Sequence, residues 1–269
     1  MRKIYCFLIA ALLTTTGWPA IAQERTVVIQ TNVGTMKAKL YPDVPNHTRT
    51  FIERATKGGF NGTLFTRVIR NFMIQGGSPD SRNAPAGARV GSGDRSTEIM
   101  PEFREQYFHK KGTLAAPRQP DNTNPQKKSD MSQFYIVQGK VYRPGELDTL
   151  QLAANIPIKR KAMNEFYMPV KELMDSLKTA DPKEFNKYVT DINAKVDSVI
   201  RNTPGHLLFT DEQREAYTTI GGVHHLDGEY TIFGELTDGF DVLDKIASQA
   251  KDPYDRPKTD IRIISITVE

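Results

Sequence analysis

Cysteine is all but missing: the 269-residue chain has one, Cys6, inside an apolar N-terminal run. No disulfide can staple a small scaffold, and no thiol nucleophile or cysteine-based metal site can be built downstream of that run. Tryptophan also occurs once, histidine five times, and the formal net charge is only +4. Two of the surplus cations, Arg2 and Lys3, stand at the very start, so the charge balance gives no argument for nucleic acid as a partner. Long hydrophobic runs are scarce. The one candidate, Ile4 to Leu13, is too short and too poorly flanked for a stable membrane span. Preceded by Arg2-Lys3, broken by Thr14-Thr15-Thr16 and followed by Ala20-Ile21-Ala22, it reads as a signal peptide over 1–22, with small residues where a signal peptidase looks. Cys6 has no small-residue lipobox ahead of it, so lipidation is not expected. The reading predicts an exported protein, periplasmic or secreted, without a stable membrane span after processing.

What is present is the composition of a folded globule: 38% hydrophobic and 25% charged residues, with 13 Phe and 10 Tyr. That excludes a disordered chain, a collagen, a coiled-coil rod and a multispan membrane protein. Thr26–Gln30 and Met36–Leu40 are β-like runs around the turn residues Thr31-Asn32-Val33-Gly34 and predict a hairpin. Pro45 predicts a helix start, Phe51, Ile52 and Ala55 its buried face, and Gly58-Gly59 its end. Leu64–Ile69 and Phe72–Gln75 predict a tight strand pair across Asn71. Residues 78–130 are rich in Gly, Pro, Asn, Ser and charge and predict ordered loops around one short strand at Gly112–Ala116. Strands follow at Ser132–Val137, Tyr230–Phe233 and Ile261–Val268, with a helix at Phe240–Ala247. Many short strands with two small helices favour a β-barrel, assigned to 23–139 and 221–269.

Residues 140–220 change texture. Asp181-Pro182-Lys183-Glu184 is a helix start, followed by Phe185, Tyr188, Val189, Ile192, Val196 and Val199 at helical spacing. Thr210-Asp211-Glu212-Gln213 is a second capping box, and Val170, Leu173, Met174 and Leu177 form a third stripe beginning near Pro169. The segment is therefore predicted as a helical insertion in a loop of the barrel, its stripes packing on one another. Its Met, Tyr and Phe content makes it the candidate surface for clients or a partner protein.

The run Phe65-Thr66-Arg67-Val68-Ile69-Arg70-Asn71-Phe72-Met73-Ile74-Gln75-Gly76-Gly77 closely resembles the signature of cyclophilin-type peptidyl-prolyl cis-trans isomerases. Gly62-Thr63-Leu64, Ser132-Gln133-Phe134-Tyr135-Ile136, Leu226-Asp227-Gly228 and Phe233-Gly234-Glu235 match in the family's order, and 140–220 lies outside the match. The resemblance implies a mainly β fold: a closed eight-stranded antiparallel barrel capped by two helices. It also implies isomerisation of X-Pro bonds in polypeptide clients, here an exported form with a helical insertion that assists the folding of exported proteins.

The chemistry suits those residue types. A prolyl amide must twist to near 90° against a barrier of about 18–20 kcal/mol, and the twisted nitrogen regains a lone pair. A fixed cation that donates hydrogen bonds there favours the twisted state over the planar one. Arg67, charged at any working pH, is the candidate catalytic group, with Gln75 holding the substrate carbonyl or steadying Arg67. By resemblance Phe72, Met73, Tyr135 and Leu226 line the proline socket, and Gln133 contacts substrate. Pro117, Arg118 and Gln119 grip the residue before proline through a loop. Because side chains alternate along a strand, not every hydrophobe of the run can line one pocket, and Val68 and Ile74 are assigned to the core. By resemblance the chain departs from the family at His225, where many eukaryotic members have tryptophan, at Tyr230, where those members have histidine, and at Tyr135 in place of a usual phenylalanine. A more polar rim and weaker cyclosporin binding are expected. No cofactor or covalent intermediate is needed. Adjacent His224 and His225, with His109 and His206 as partners, lack the spacing of a metal site, and none is expected. The rival reading is a binding or chaperone module that keeps the groove and recognises extended chains through its helices.

Overall fold

The computed structural model describes residues 25–269; the signal-peptide reading of 1–22 lies outside them. Strands β1 (Arg25–Thr31) and β2 (Gly34–Leu40) form the expected hairpin, paired from Arg25–Leu40 to Thr31–Gly34. Val27, Ile29, Met36, Ala38 and Leu40 alternate inward and are fully buried. Helix α1 (Pro45–Thr56) starts on its proline and buries His47, Phe51 and Ala55, one residue per turn. Strands β3 (Phe65–Ile69) and β4 (Met73–Gly76) meet across a turn whose Asn71 has φ +61°, a conformation asparagine tolerates better than most residues. The loop region carries β5 (Glu98–Ile99), β6 (Thr113–Ala115) and β7 (Ser129–Asp130) before β8 (Phe134–Val137). The small β5–β7 pair was not foreseen, since two-residue strands have no periodicity to read.

Four helices then run between β8 and the next strand: α2 (Pro144–Phe166), α3 (Lys171–Ala180), α4 (Pro182–Asn202) and α5 (Asp211–Thr219). Asp181 accepts from the backbone N–H of Lys183 and Glu184 at the start of α4, and Thr210 with Gln213 closes the capping box of α5, as their sequences predict. Helix α2 is the one that sequence reading missed. Its apolar residues form no single stripe, and Pro157 stands in its middle, which ordinarily argues against a helix. The chain returns through β9 (Ile232–Asp238), α6 (Phe240–Ala247) and β10 (Ile263–Val268). β9 runs five residues past its predicted end at Phe233.

The main sheet is antiparallel in the order β10-β1-β2-β9-β6-β8-β4-β3. Its two outer strands meet through a Leu64–Arg262 bridge, where Gly62 and Phe65 donate to the carbonyls of Ile263 and Ile261 and Ile263 donates back to Thr63. Rather than the fully hydrogen-bonded closed barrel that was expected, the sheet is thus curled into a half-barrel whose edges touch at this short seam. Phe51, Phe60, Phe65, Phe134 and Phe233 fill it, with Phe60 edge-on to Phe134 at 5.4 Å between centroids, and Val242, Leu243 and Ile246 of α6 cover it. A separate apolar cluster, Ala162, Met174, Ile192, Val196 and Ile200, holds α2, α3 and α4 together. Phe108, Tyr142, Leu147, Phe209 and Tyr217 join the helices to the barrel.

Candidate active site

Register builds the site. Arg67 on β3 stands opposite Gln75 on β4, Gln75 opposite Tyr135 on β8, and Tyr135 opposite Ala115 on β6, one row across four strands. The adjacent row, Val68, Ile74, Ile136 and Leu114, turns the other way and is fully buried in the barrel, which places Val68 and Ile74 in the core as the sequence predicts. A register shift between Phe65 and Arg67 lets Phe65 enter the core while Arg67 points out. Phe72 precedes β4 and stands in the Asn71 turn, so strand alternation does not bind it to the inward row.

The outward row opens on a cavity of about 120 Å³ lined by Arg67, Phe72, Met73, Gln75, Pro117, Arg118, Tyr135, Leu226 and Tyr230. Met73, Tyr135 and Leu226 are nearly buried at its floor, while Phe72 and Tyr230 are half-buried. The Arg67 side chain is 45% exposed, its Nε 3.4 Å from Asp255 Oδ2 and its Cζ 5.9 Å from the centre of the Phe72 ring. Arg118, in contrast, is built into the wall. Its Nε donates to the Glu229 carbonyl at 2.8 Å, its Nη2 to Glu229 Oε2 at 2.9 Å, and its Cζ lies 4.7 Å from the centre of the Tyr230 ring.

Three residues assigned to substrate contact do not line this cavity. Gln133 lies behind Gln75 and accepts from its Nε2 at 3.1 Å while donating to Asp130 at 3.0 Å. His225, exposed at one edge, stacks on Phe72, with ring centroids 5.8 Å apart and planes at 18°; partial desolvation of its ring, with the nearby His109, lowers its pKa. Gln119 offers its backbone carbonyl to Arg118. Gln75 does not steady Arg67 directly either; Asp255 does, because a carboxylate is the stronger acceptor for a guanidinium. Asp255 escaped sequence reading because it is 188 residues from Arg67, brought there by a turn at φ +65° whose carbonyl accepts from the Val68 N–H at 2.8 Å. Of the histidines weighed as metal ligands, His224 and His225 have rings at 88° to each other, and His109 is buried between Asp227 and Tyr135. Among the described residues no three His, Cys, Asp or Glu side chains converge as a metal site.

Nine of the residues that the signature implied for the site thus line one small cavity, an apolar floor beside an exposed guanidinium and an amide. The family model for cyclophilin type peptidyl-prolyl cis-trans isomerase matches residues 26–154 and 160–268. The chain belongs to the cyclophilin-type peptidyl-prolyl cis-trans isomerases. A Staphylococcus saprophyticus protein described as "Putative peptidyl-prolyl cis-trans isomerase" is 29% identical over 249 residues, covering 91% of this chain and 92% of that one. A protein of the same description from Staphylococcus aureus (strain COL) is 28% identical over 247 residues, with the same coverage. The crystal structure of a Cryptosporidium parvum cyclophilin type peptidyl-prolyl cis-trans isomerase superposes with a TM-score of 0.52 at 18% identity, over 92% of this chain and 98% of that one, and so shares the cyclophilin fold. Peptidyl-prolyl isomerisation is the activity this membership supports, and proline-containing polypeptides are its substrates.

Proposed function

We propose that this cyclophilin assists the folding of exported proteins by twisting X-Pro bonds with Arg67 over an apolar proline socket. The observation that carries the mechanism is the placement of Arg67: exposed, at the rim of the Phe72–Met73–Leu226 pocket, and held loosely by a long contact to Asp255 and by the face of the Phe72 ring. A group so held can follow the prolyl nitrogen as its lone pair appears, and the gain is larger in the twisted state than in the planar one. Met73, Leu226 and the Tyr135 ring bury the pyrrolidine, and Gln75, anchored by Gln133, offers its amide to the substrate backbone. The export reading rests on residues 1–22 alone: the basic Arg2-Lys3 start, the apolar run Ile4 to Leu13 and the small residues of Ala20-Ile21-Ala22. Uncatalysed exchange takes tens to hundreds of seconds, slow enough to limit folding outside the cytoplasm.

The experiment is refolding of a protein whose slow phase is proline-limited. The wild type accelerates that phase in catalytic amounts, and Arg67→Ala does so at least about 100-fold less efficiently, the usual effect of removing one preorganised donor from a transition state. Equal acceleration by both would end the Arg67 reading. N-terminal sequencing of protein recovered from the cell envelope is expected to begin at Gln23; an intact Met1 in the cytoplasm would end the export reading.

A second reading concerns the helices. Leu152 and Ile156 on α2, Met168 after it and Leu173 on α3 are each more than 40% exposed, an unusual set of large apolar side chains for solvent. They are proposed to hold extended clients near the pocket. Leu152→Ser/Ile156→Ser is expected to slow catalysed refolding of a protein while leaving a short peptide substrate unaffected; equal effects on both would contradict it.

A further inference from the structure

Behind the pocket wall lies a continuous chain of polar groups that the isomerase mechanism does not use. Tyr217, on α5, donates its hydroxyl to Asp227 Oδ2. Asp227 Oδ1 accepts the backbone N–H of His109 at 2.7 Å and faces that residue's Nδ1 at 2.9 Å. The other ring nitrogen, Nε2, lies 2.8 Å from the hydroxyl of Tyr135, whose ring forms the pocket floor. His109 and Tyr217 are completely buried and Tyr135 nearly so. The imidazole and the Tyr135 ring are 6.0 Å apart at 10°, and Tyr230 meets both edge-on.

Proton directions follow from this geometry. A carboxylate has none to give, so Nδ1 of His109 carries the hydrogen and donates it to Asp227. Burial lowers the His109 pKa despite the neighbouring carboxylate, so the ring is neutral and Nε2 is left bare. The bare nitrogen can only accept, and the donor is the Tyr135 hydroxyl. Every proton in the chain points toward Asp227. The junction is also close-packed: a Cβ on Gly222 would stand 2.4 Å from the His109 carbonyl and 2.4 Å from Cε1 of Tyr217, so only glycine lets α5 lie this near the barrel.

We propose that Tyr217, Asp227 and His109 are positioning residues for the proline pocket: they hold the Tyr135 ring and turn its hydroxyl proton away from the bound proline. The pocket floor then presents an aromatic face without a donor that would compete with Arg67 for the substrate, and α5 becomes part of the active-site support. This inference rests on the reading that the Arg67 pocket receives proline.

Two measurements test it. Nitrogen-15 NMR of His109 in the whole protein at neutral pH is expected to find Nδ1 protonated and Nε2 bare, the less common neutral tautomer. Protonation at Nε2 instead would overturn the proposal. In the kinetic test, Tyr217→Phe is expected to raise KM about threefold or more, and more than it lowers kcat, because the wall serves planar and twisted substrate alike. The same substitution in the Tyr135→Phe background has no hydroxyl left to misdirect, and its effect on KM is expected to vanish. Losses that add whether or not Tyr135 carries its hydroxyl would reduce the chain to a structural role and overturn the proposal. Failure of the Arg67 reading would appear as full activity in Arg67→Ala and would leave the His109 tautomer unchanged, so the two failures are distinguishable.

Discussion

Arg67 and Asp255 meet at 3.4 Å with both side chains partly in solvent, and exposed ion pairs of this kind contribute about 0.2–1 kcal/mol. The carboxylate therefore steers the guanidinium without immobilising it. Asp255→Asn is expected to lower kcat/KM by about two- to fivefold on that scale, far less than Arg67→Ala, as read in a peptide isomerisation assay on folded protein. A loss as large as that of Arg67→Ala would mean that Asp255 itself takes part in the chemistry. At the pocket rim, His225 stacks on Phe72 where the resemblance to eukaryotic members implies a tryptophan, and the exposed imidazole offers less apolar area than an indole. Inhibition by cyclosporin is accordingly expected only above about 1 μM, and His225→Trp is expected to tighten it. Tight inhibition of the wild type would contradict this account of the rim.

Gly222 decides how α5 sits on the barrel, since any side chain there meets the His109 carbonyl and the Tyr217 ring at once. Gly222→Ala is expected to destabilise the protein by about 1–3 kcal/mol, the usual cost of overpacking, as measured by denaturant unfolding. On α4, Asp181→Ala removes the acceptor for two backbone N–H groups at 3.1 Å each and is expected to cost about 1 kcal/mol of helix stability, read as faster hydrogen exchange in the first turn of α4. The elements that sequence made legible were those with a device of their own: the Asn32-Val33 turn, Pro45, the Asp181 and Thr210 caps, and the Phe65–Gly77 run. Helix α2 was hidden because its apolar residues ring the axis and Pro157 interrupts it. The inward and outward rows of the site were hidden in part because the shift between Phe65 and Arg67 is a backbone event without a residue signature. Nine of the twelve residues assigned to the site line one cavity; the others stand behind it, and Asp255 and His109 gain their roles only through contacts across the fold.

The helices α2 to α4 share a core apart from the barrel, and the link between the two runs through Tyr142, Leu147, Phe209 and Tyr217. Replacing 151–207 by a short flexible linker keeps that link, and kcat/KM for a short peptide is expected to stay within about threefold, as for distant independent sites. Collapse of peptide catalysis would mean that the helices complete the pocket. Acid stability follows from the buried imidazoles. His47, with Nδ1 2.7 Å from Glu102 and Nε2 2.9 Å from Ser129, and His109 both have pKa values pushed below 6.5, burial outweighing the adjacent carboxylates. Below about pH 6.5 the unfolded chain binds protons that the folded one does not, so stability falls as pH falls. Glu102, held below 4.5 by hydrogen bonds from His47 and the Asn46 backbone, and Glu235, held below 4.5 by Lys110 and Lys39, both against the cost of burial, add stability that is lost only at lower pH. A Tm lower at pH 5.5 than at pH 7.5 is expected, and an unchanged Tm would contradict neutral burial of these histidines. The most direct test of the central claim is prolyl exchange in an Ala-Pro peptide at low temperature, comparing the protein from Gln23 onward with its Arg67→Ala variant. The account predicts rapid exchange that falls toward the uncatalysed rate in the variant although peptide binding persists; exchange at the wild-type rate without Arg67 would contradict it.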